Sequence, residues 1–343
     1  MIMATHSPET AHLEDLRHLS EATFFVYDNK ETSPGRQTLS RLGRISQIAM
    51  IAGINDYLHG SYFPDVHTEV LETTPERDKM ETAARTFVNQ TVGTLPVGKV
   101  YWQPRETSRG YWGVHDALLR LNYMADRDGY ASESLRQMHE SSTLVHELAH
   151  STGNTNTIVA IRSVEPNDSL KATVSVASVF GMKLPRITKQ GGESYMVAGD
   201  EGSFFEEAFA EETAARWRVQ YSPLLRDHAG QLFNTTDNLQ VPARFFDHGE
   251  PTSKMAVSTI NSHSVYPAYA LSLLSRHNGV DFYELMRLMR GAEPAAKAEL
   301  KKELIRSIDN VEPGLYASLR SLPYGKEGFI SGLKRVQSAL NKR

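Results

Sequence analysis

The chain contains no cysteine. Disulfides, thiolate zinc sites and thiol nucleophiles are therefore excluded, and any transition metal must be held by His, Asp or Glu. Freedom from cysteine suits a reducing cytoplasm, and a cytoplasmic location is the expectation. Long hydrophobic runs are also missing. The longest nearly apolar stretch, Ile45 to Ile54, is broken by Ser46 and Gln47 and falls well short of the roughly 20 residues that span a bilayer. Met1 to Glu14 shows no basic segment followed by an apolar one, so neither a secretory signal nor a membrane partner is expected. Charge of one sign is lacking too: 37 basic residues face 41 acidic ones, a net charge of −4 that gives no general reason to expect nucleic-acid binding. Internal repeats and low-complexity linkers are absent.

What is present reads as an ordinary globular protein. The 343 residues are 40% hydrophobic and 23% charged, enough for one large or two medium domains. Leu39, Leu42, Ile45, Ile48, Ile51 and Ala52 repeat at helical spacing, and a second helical run covers residues 76–92. The texture then changes. Val100-Tyr101-Trp102, Tyr111-Trp112 and Ala117 to Tyr123 have the aromatic and aliphatic content of short strands. Ser134-Leu135-Arg136-Gln137 has capping-box spacing and predicts a helix that Gly153 would end. Another β-like stretch at 171–179 and glycine-rich loops around Gly191-Gly192 and 199–202 lead to a helix opened by Ser203-Phe204-Phe205-Glu206, in which Glu206 serves the cap. Helices follow at 267–277, 281–290, 295–308 and 326–341. The expected organisation is an N-terminal helical region (1–95), a central domain (96–291) and a C-terminal helical region packed on it (292–343). The class is α+β, mainly helical, with a small mixed sheet before the helix at 135–153. Trp102, Trp112 and Trp217 are expected in the core, and His139 at the surface.

The most specific signal is His146-Glu147-Leu148-Ala149-His150. Residues four apart share a helix face, so both imidazoles can point at one ion while Glu147 stands beside it as a base. A third ligand is needed. Asn156 occupies the position where a metzincin has its third histidine, and an amide is a poor zinc ligand. Peptide deformylases would need a cysteine. The better candidate is Phe205-Glu206-Glu207-Ala208-Phe209-Ala210-Glu211, where Glu207 and Glu211 lie four apart on one face. Glu207 can bind the ion while Glu211 accepts the outer N–H of a ligand histidine.

These two motifs resemble the gluzincin group of zinc metallopeptidases, in which a Glu from a following helix is the third ligand. Locally, His146 to Gly153 and Glu206 to Glu211 are most similar to the zincin-like domain of plasmid antirestriction proteins. The resemblance covers about residues 135–220 and implies a zincin-like fold, Zn2+ held by His146, His150 and Glu207, and peptide or protein substrates. It further implies that zinc lowers the pKa of its water toward ~7, with Glu147 taking the proton and passing it to the leaving amine. A donor for the oxyanion is then expected from the later helical half, with Tyr266 ahead of His263. Substrate backbone is expected along an exposed strand edge at Ala117 to Tyr123. The leading expectation is a zinc-dependent endopeptidase. The rival expectations are a zincin-fold binding protein of antirestriction type with little or no proteolysis, and a narrowly specific protease acting as an effector or toxin.

Overall fold

The computed structural model describes residues 23–28, 35–38, 71–96, 98–104, 112–116, 121–126, 132–153, 155–163, 172–182, 184–190, 193–201, 203–221, 226–227, 231–234, 240–245, 265–292, 294–322 and 326–342. The chain divides into two compact units, each assembled from separated stretches. One comprises Met1–Lys79, Val97–Asp128 and Asn154–Gly202; the other comprises Met80–Pro96, Gly129–Gly153 and Ser203–Arg343.

The first unit is built on strands. β1 (Thr23–Asp28) and β2 (Gly35–Thr38) fall inside the stretch expected to be helical, which corrects that reading locally. The reason is composition and partnership. Thr23-Phe24-Phe25-Val26-Tyr27 is β-branched and aromatic, and β1 pairs antiparallel with β2 and parallel with β6 (Thr155–Ser163). The helical run expected near residues 39–52 lies outside the described residues.

β3 (Val100–Gln103), β4 (Gly113–Asp116) and β5 (Leu121–Ala125) form a small mixed sheet in the order β3-β5-β4, with β5 parallel to β3 and antiparallel to β4. β5 is therefore the central strand. Its backbone groups are taken up on both sides, so the expectation of a free edge for substrate is corrected for Leu121 to Tyr123; residues 117–120 of that stretch lie outside the described residues. Trp102 is buried beneath the Arg77 guanidinium, 4.3 Å from its ring, and Arg77 pairs with Asp126 at 2.8 Å.

β6 continues into β7 (Ala172–Phe180), giving the order β2-β1-β6-β7, while β8 (Leu184–Gln190) pairs antiparallel with β9 (Glu193–Glu201). Gly199 thus sits in a strand rather than a loop, and the strand content exceeds the one small sheet expected.

The second unit is helical: α1 (Pro75–Val92, begun in the first unit), α2 (Glu133–Ser151), α3 (Ser203–Tyr221), α4 (Val265–Asn278), α5 (Phe282–Gly291), α6 (Pro294–Asp309), α7 (Leu315–Arg320) and α8 (Lys326–Asn341). A short hairpin of β10 (Leu232–Asn234) and β11 (Gln240–Pro242) leads into a 3-10 turn at Ala243–Phe245. Helix outweighs strand among the described residues, and the class is α+β. No helix among them is long and apolar enough to cross a membrane.

α2 opens one residue before Ser134, at Glu133, because Glu133 gathers the first turn: it accepts from Arg136 at 2.6 Å and from Gln137 at 2.9 Å. Gly153 closes it, its N–H reaching the His150 carbonyl at 3.2 Å. α3 is buried almost all round. Ala208, Ala210, Ala214 and Ala215 are at most 1% exposed, and such small side chains let α2, α4 and α5 pack closely on it. Large rings fill the remaining space: Phe209 stacks on Tyr283 at 4.9 Å, Phe205 on Tyr316 at 5.3 Å, and Trp217 meets Phe87 edge-on at 5.2 Å.

Candidate metal centre

α2 and α3 supply the site, both within the helical unit. On α2 the apolar positions Leu144, Val145, Leu148 and Ala149 are fully buried, which fixes the helix rotation and turns His146 and His150 together toward α3. The two rings meet edge-on, 4.8 Å between centroids. His146 Nε2 and His150 Nε2 lie 3.1 Å apart, and Glu207 Oε2 lies 3.5 Å from each. Ligand atoms about 2.1 Å from a tetrahedral ion are about 3.4 Å apart, so this triangle has the dimensions of one face of a zinc coordination shell. His146, His150 and Glu207 form a group that could hold a metal ion, with both histidines buried and Glu207 partly exposed.

The other ring nitrogens decide which face is free. His146 Nδ1 lies 3.3 Å from Glu211 Oε2, and His150 Nδ1 lies 3.0 Å from Glu206 Oε1. Ionised carboxylates only accept, so each Nδ1 carries a hydrogen and each Nε2 is the nitrogen turned to the shared point. Two neutral imidazoles would then present two lone pairs and a carboxylate oxygen to one point. That arrangement requires a cation or a proton at its centre, and the donor set of two imidazoles and one carboxylate suits a divalent transition-metal ion.

Both supporting carboxylates are themselves held by buried arginines. Arg218 donates to Glu211 at 2.5 Å, to Ser142 Oγ at 2.7 Å and to the Arg244 carbonyl at 3.2 Å. Arg290, from α5, donates to Glu206 and to three groups at the end of α2: the Ala149 carbonyl (2.6 Å), the His150 carbonyl (3.1 Å) and Thr152 Oγ1 (3.1 Å). It also lies over the Phe209 ring at 4.5 Å. Arg290 thus completes the carbonyls that a helix C-terminus leaves open.

Without an ion, His146 is pushed up to about 10: burial works to lower it, but the Glu207 and Glu211 carboxylates, with Glu147, outweigh burial. Glu211 moves the other way. Burial works to raise it, yet Arg218 and His146 hold it below the ordinary carboxylate value.

Glu147 is buried on α2 and its charge acts on His146. Tyr266 falls in α4, its side chain outside those described, and His263 lies outside the described residues. Tyr269 is buried with its hydroxyl 3.4 Å from the Phe245 carbonyl. His139, expected at the surface, is buried. Sequence reasoning missed Glu206 as a partner of His150, having assigned it to the helix cap, and did not single out Arg290 or Arg218. A glutamate next to the ligand glutamate was the one available signal for Glu206; nothing local marks Arg290, 140 residues from His150.

No family model, curated protein or solved structure matches the chain.

Proposed function

We propose that the protein is a zinc-dependent metallopeptidase of gluzincin type with a zincin-like catalytic domain, in which His146, His150 and Glu207 hold the ion and Glu147 is the general base. The observation that carries this reading is the triangle of His146 Nε2, His150 Nε2 and Glu207 Oε2, at 3.1 and 3.5 Å, beside a glutamate of the same helix. Bound zinc would supply Lewis acidity, polarising a substrate carbonyl and acidifying water toward neutral pH. The chain's own residues do the rest. Glu206 and Glu211 keep the Nδ1 hydrogens in place, so both rings present Nε2 inward. Glu147 accepts the proton from water as it attacks the carbonyl carbon, then returns it to the departing amine nitrogen. Burial of His146, His150 and Glu147 limits bulk water at the reacting centre and strengthens these charge interactions.

Glu147→Gln tests the proposal. The variant should bind zinc as tightly as the parent while generation of new peptide termini from an unstructured protein, or from a proteome-derived peptide mixture, falls at least 100-fold. Undiminished hydrolysis by metal-loaded Glu147→Gln would overturn the assignment of the base, and absence of zinc binding by the parent would overturn the centre itself.

A further inference from the structure

Apart from the metal centre, α3, α4 and α5 enclose a cleft of about 350 Å³, within the range of small-molecule sites. Ala208, Glu212 and Arg216 form the α3 wall, one residue round the helix from Glu207 and Glu211. Leu271, Ser272, Ser275 and Arg276 come from α4, Phe282, Tyr283 and Met286 from α5, and Arg244 from the 3-10 turn. Three guanidinium groups therefore line one cleft against two carboxylates, and one of those, Asp281, is engaged in capping α5 through the Glu284 N–H at 3.0 Å.

The arginines here are held differently from those behind the histidines. Arg218 meets Glu211 at 2.5 Å, whereas Arg244 Nε and Nη2 both approach the same Glu212 oxygen at 3.2 Å, and Arg216 Nε reaches the other at 3.4 Å. Charge-assisted N–H···O bonds normally close to about 2.7–2.9 Å, so one glutamate is stretched between two guanidiniums and saturates neither. Each guanidinium is nonetheless oriented. Arg216 lies 3.8 Å from the Tyr283 ring centre, Arg244 lies 5.0 Å from that of Phe245, and Arg244 Nη2 also donates to Ser272 Oγ at 2.7 Å. Stacking on a ring leaves a guanidinium's edge donors available in the plane, the geometry that recognises planar or tetrahedral oxyanions.

We propose that this cleft is a binding site for a compact oxyanion, carboxylate or phosphate, with a short apolar body. Arg216 and Arg244 grip the anionic group from two sides, Ser272 and Ser275 offer hydroxyls, and Leu271, Phe282 and Met286 take the apolar part. Glu212 acts as the internal placeholder that the ligand displaces or joins.

Isothermal titration of the full chain, stripped of metal by chelation and held at constant ionic strength, tests this with sodium phosphate and sodium succinate as probes. Saturable one-site binding of either is expected, and the probe that binds identifies the source of the anion. Arg216→Gln and Arg244→Gln should each weaken it about tenfold, the loss of a charged hydrogen bond. Glu212→Gln should strengthen it by removing the competing carboxylate, an outcome that a purely structural ion pair does not produce. Circular dichroism checks folding. Arg216 is well exposed on its outer side, so its variant carries the test should Arg244→Gln unfold. Lack of saturable binding by both probes, or binding unchanged in Arg216→Gln, overturns the proposal.

Discussion

Arg290 bonds the Glu206 carboxylate whose Oε1 lies 3.0 Å from His150 Nδ1, so α5 is tied directly to a candidate metal ligand on α2. The same guanidinium holds the Ala149 and His150 carbonyls, fixing both the ring and the backbone of His150. Arg290→Met should therefore do two things. It leaves Glu206, fully buried, without its counter-charge, which costs about 3–5 kcal/mol of stability. Where the protein still folds, zinc affinity should drop on the order of 10–100-fold, as is usual when the partner orienting a ligand is lost. Urea denaturation reads the first effect and competition against a chromophoric chelator reads the second. A variant that binds zinc like the parent would show that His150 needs no such support.

Removal of metal should lower the melting temperature, because an ion held by α2 and α3 binds the folded chain and not the unfolded one. At a free zinc concentration 100 times its dissociation constant the stabilisation is about 2.7 kcal/mol. Glu207→Gln should abolish most of that increment, and should also lower the metal-free melting temperature at neutral pH, since Glu207 helps to hold the charge on His146. Thermal scans with and without chelator check both statements. Equal zinc shifts in parent and Glu207→Gln would remove Glu207 from the ligand set.

How much of this was legible in the sequence depended on the range of each interaction. The His146–His150 pairing is set by helix geometry alone and could be read from spacing. Glu207 and Glu211 were legible for the same reason, once α3 was recognised from its capping residues and alanines. The contact of Glu206 with His150 was not legible because a helix start offers a cap role to any acidic residue in its first turn, and only packing shows that this one is wholly buried. Arg290 could not be found, since its role depends on α5 being brought onto α2 by contacts 140 residues apart. The strands went astray likewise. β5 has the composition of any half-buried strand, and only its pairing with β3 and β4 reveals that it is central.

Trp217 provides a test of packing away from ligands. It is 2% exposed, meets Phe87 edge-on and donates its indole N–H to Ser141 Oγ at 2.9 Å. Ser141 precedes Ser142, the residue that Arg218 grips. Trp217→Phe removes the hydrogen bond and leaves a cavity, and should cost roughly 2–4 kcal/mol by urea denaturation, in the range of large-to-small core changes. Zinc affinity measured below the unfolding transition should change less than threefold, because Arg218 and Glu211 retain each other. A larger loss would mean that the α2–α3 packing itself sets the ligand geometry.

The pH response of the metal-free protein follows from His146 and Glu211. Burial opposes protonation of His146, but Glu207 and Glu211 overcome it and raise the imidazole from 6.5 to about 10. A raised folded pKa contributes stability that is complete below about 6.5 and is lost as pH climbs toward 10. Glu211 is depressed below 4.5, so its contribution is present above that value and disappears as pH falls through the folded one. Between these limits, roughly pH 4.5 to 6.5, both contributions are intact, and chelator-treated protein should melt highest there. Zinc must expel the His146 proton to bind at neutral pH, so uptake at pH 7.5 should release close to one proton, and affinity should rise about tenfold per pH unit from 7 to 9. Calorimetry in two buffers of different ionisation enthalpy measures that proton. Zinc uptake without proton release would mean that His146 is already neutral in the metal-free protein, with Glu207 and Glu211 too weakly coupled to hold its charge.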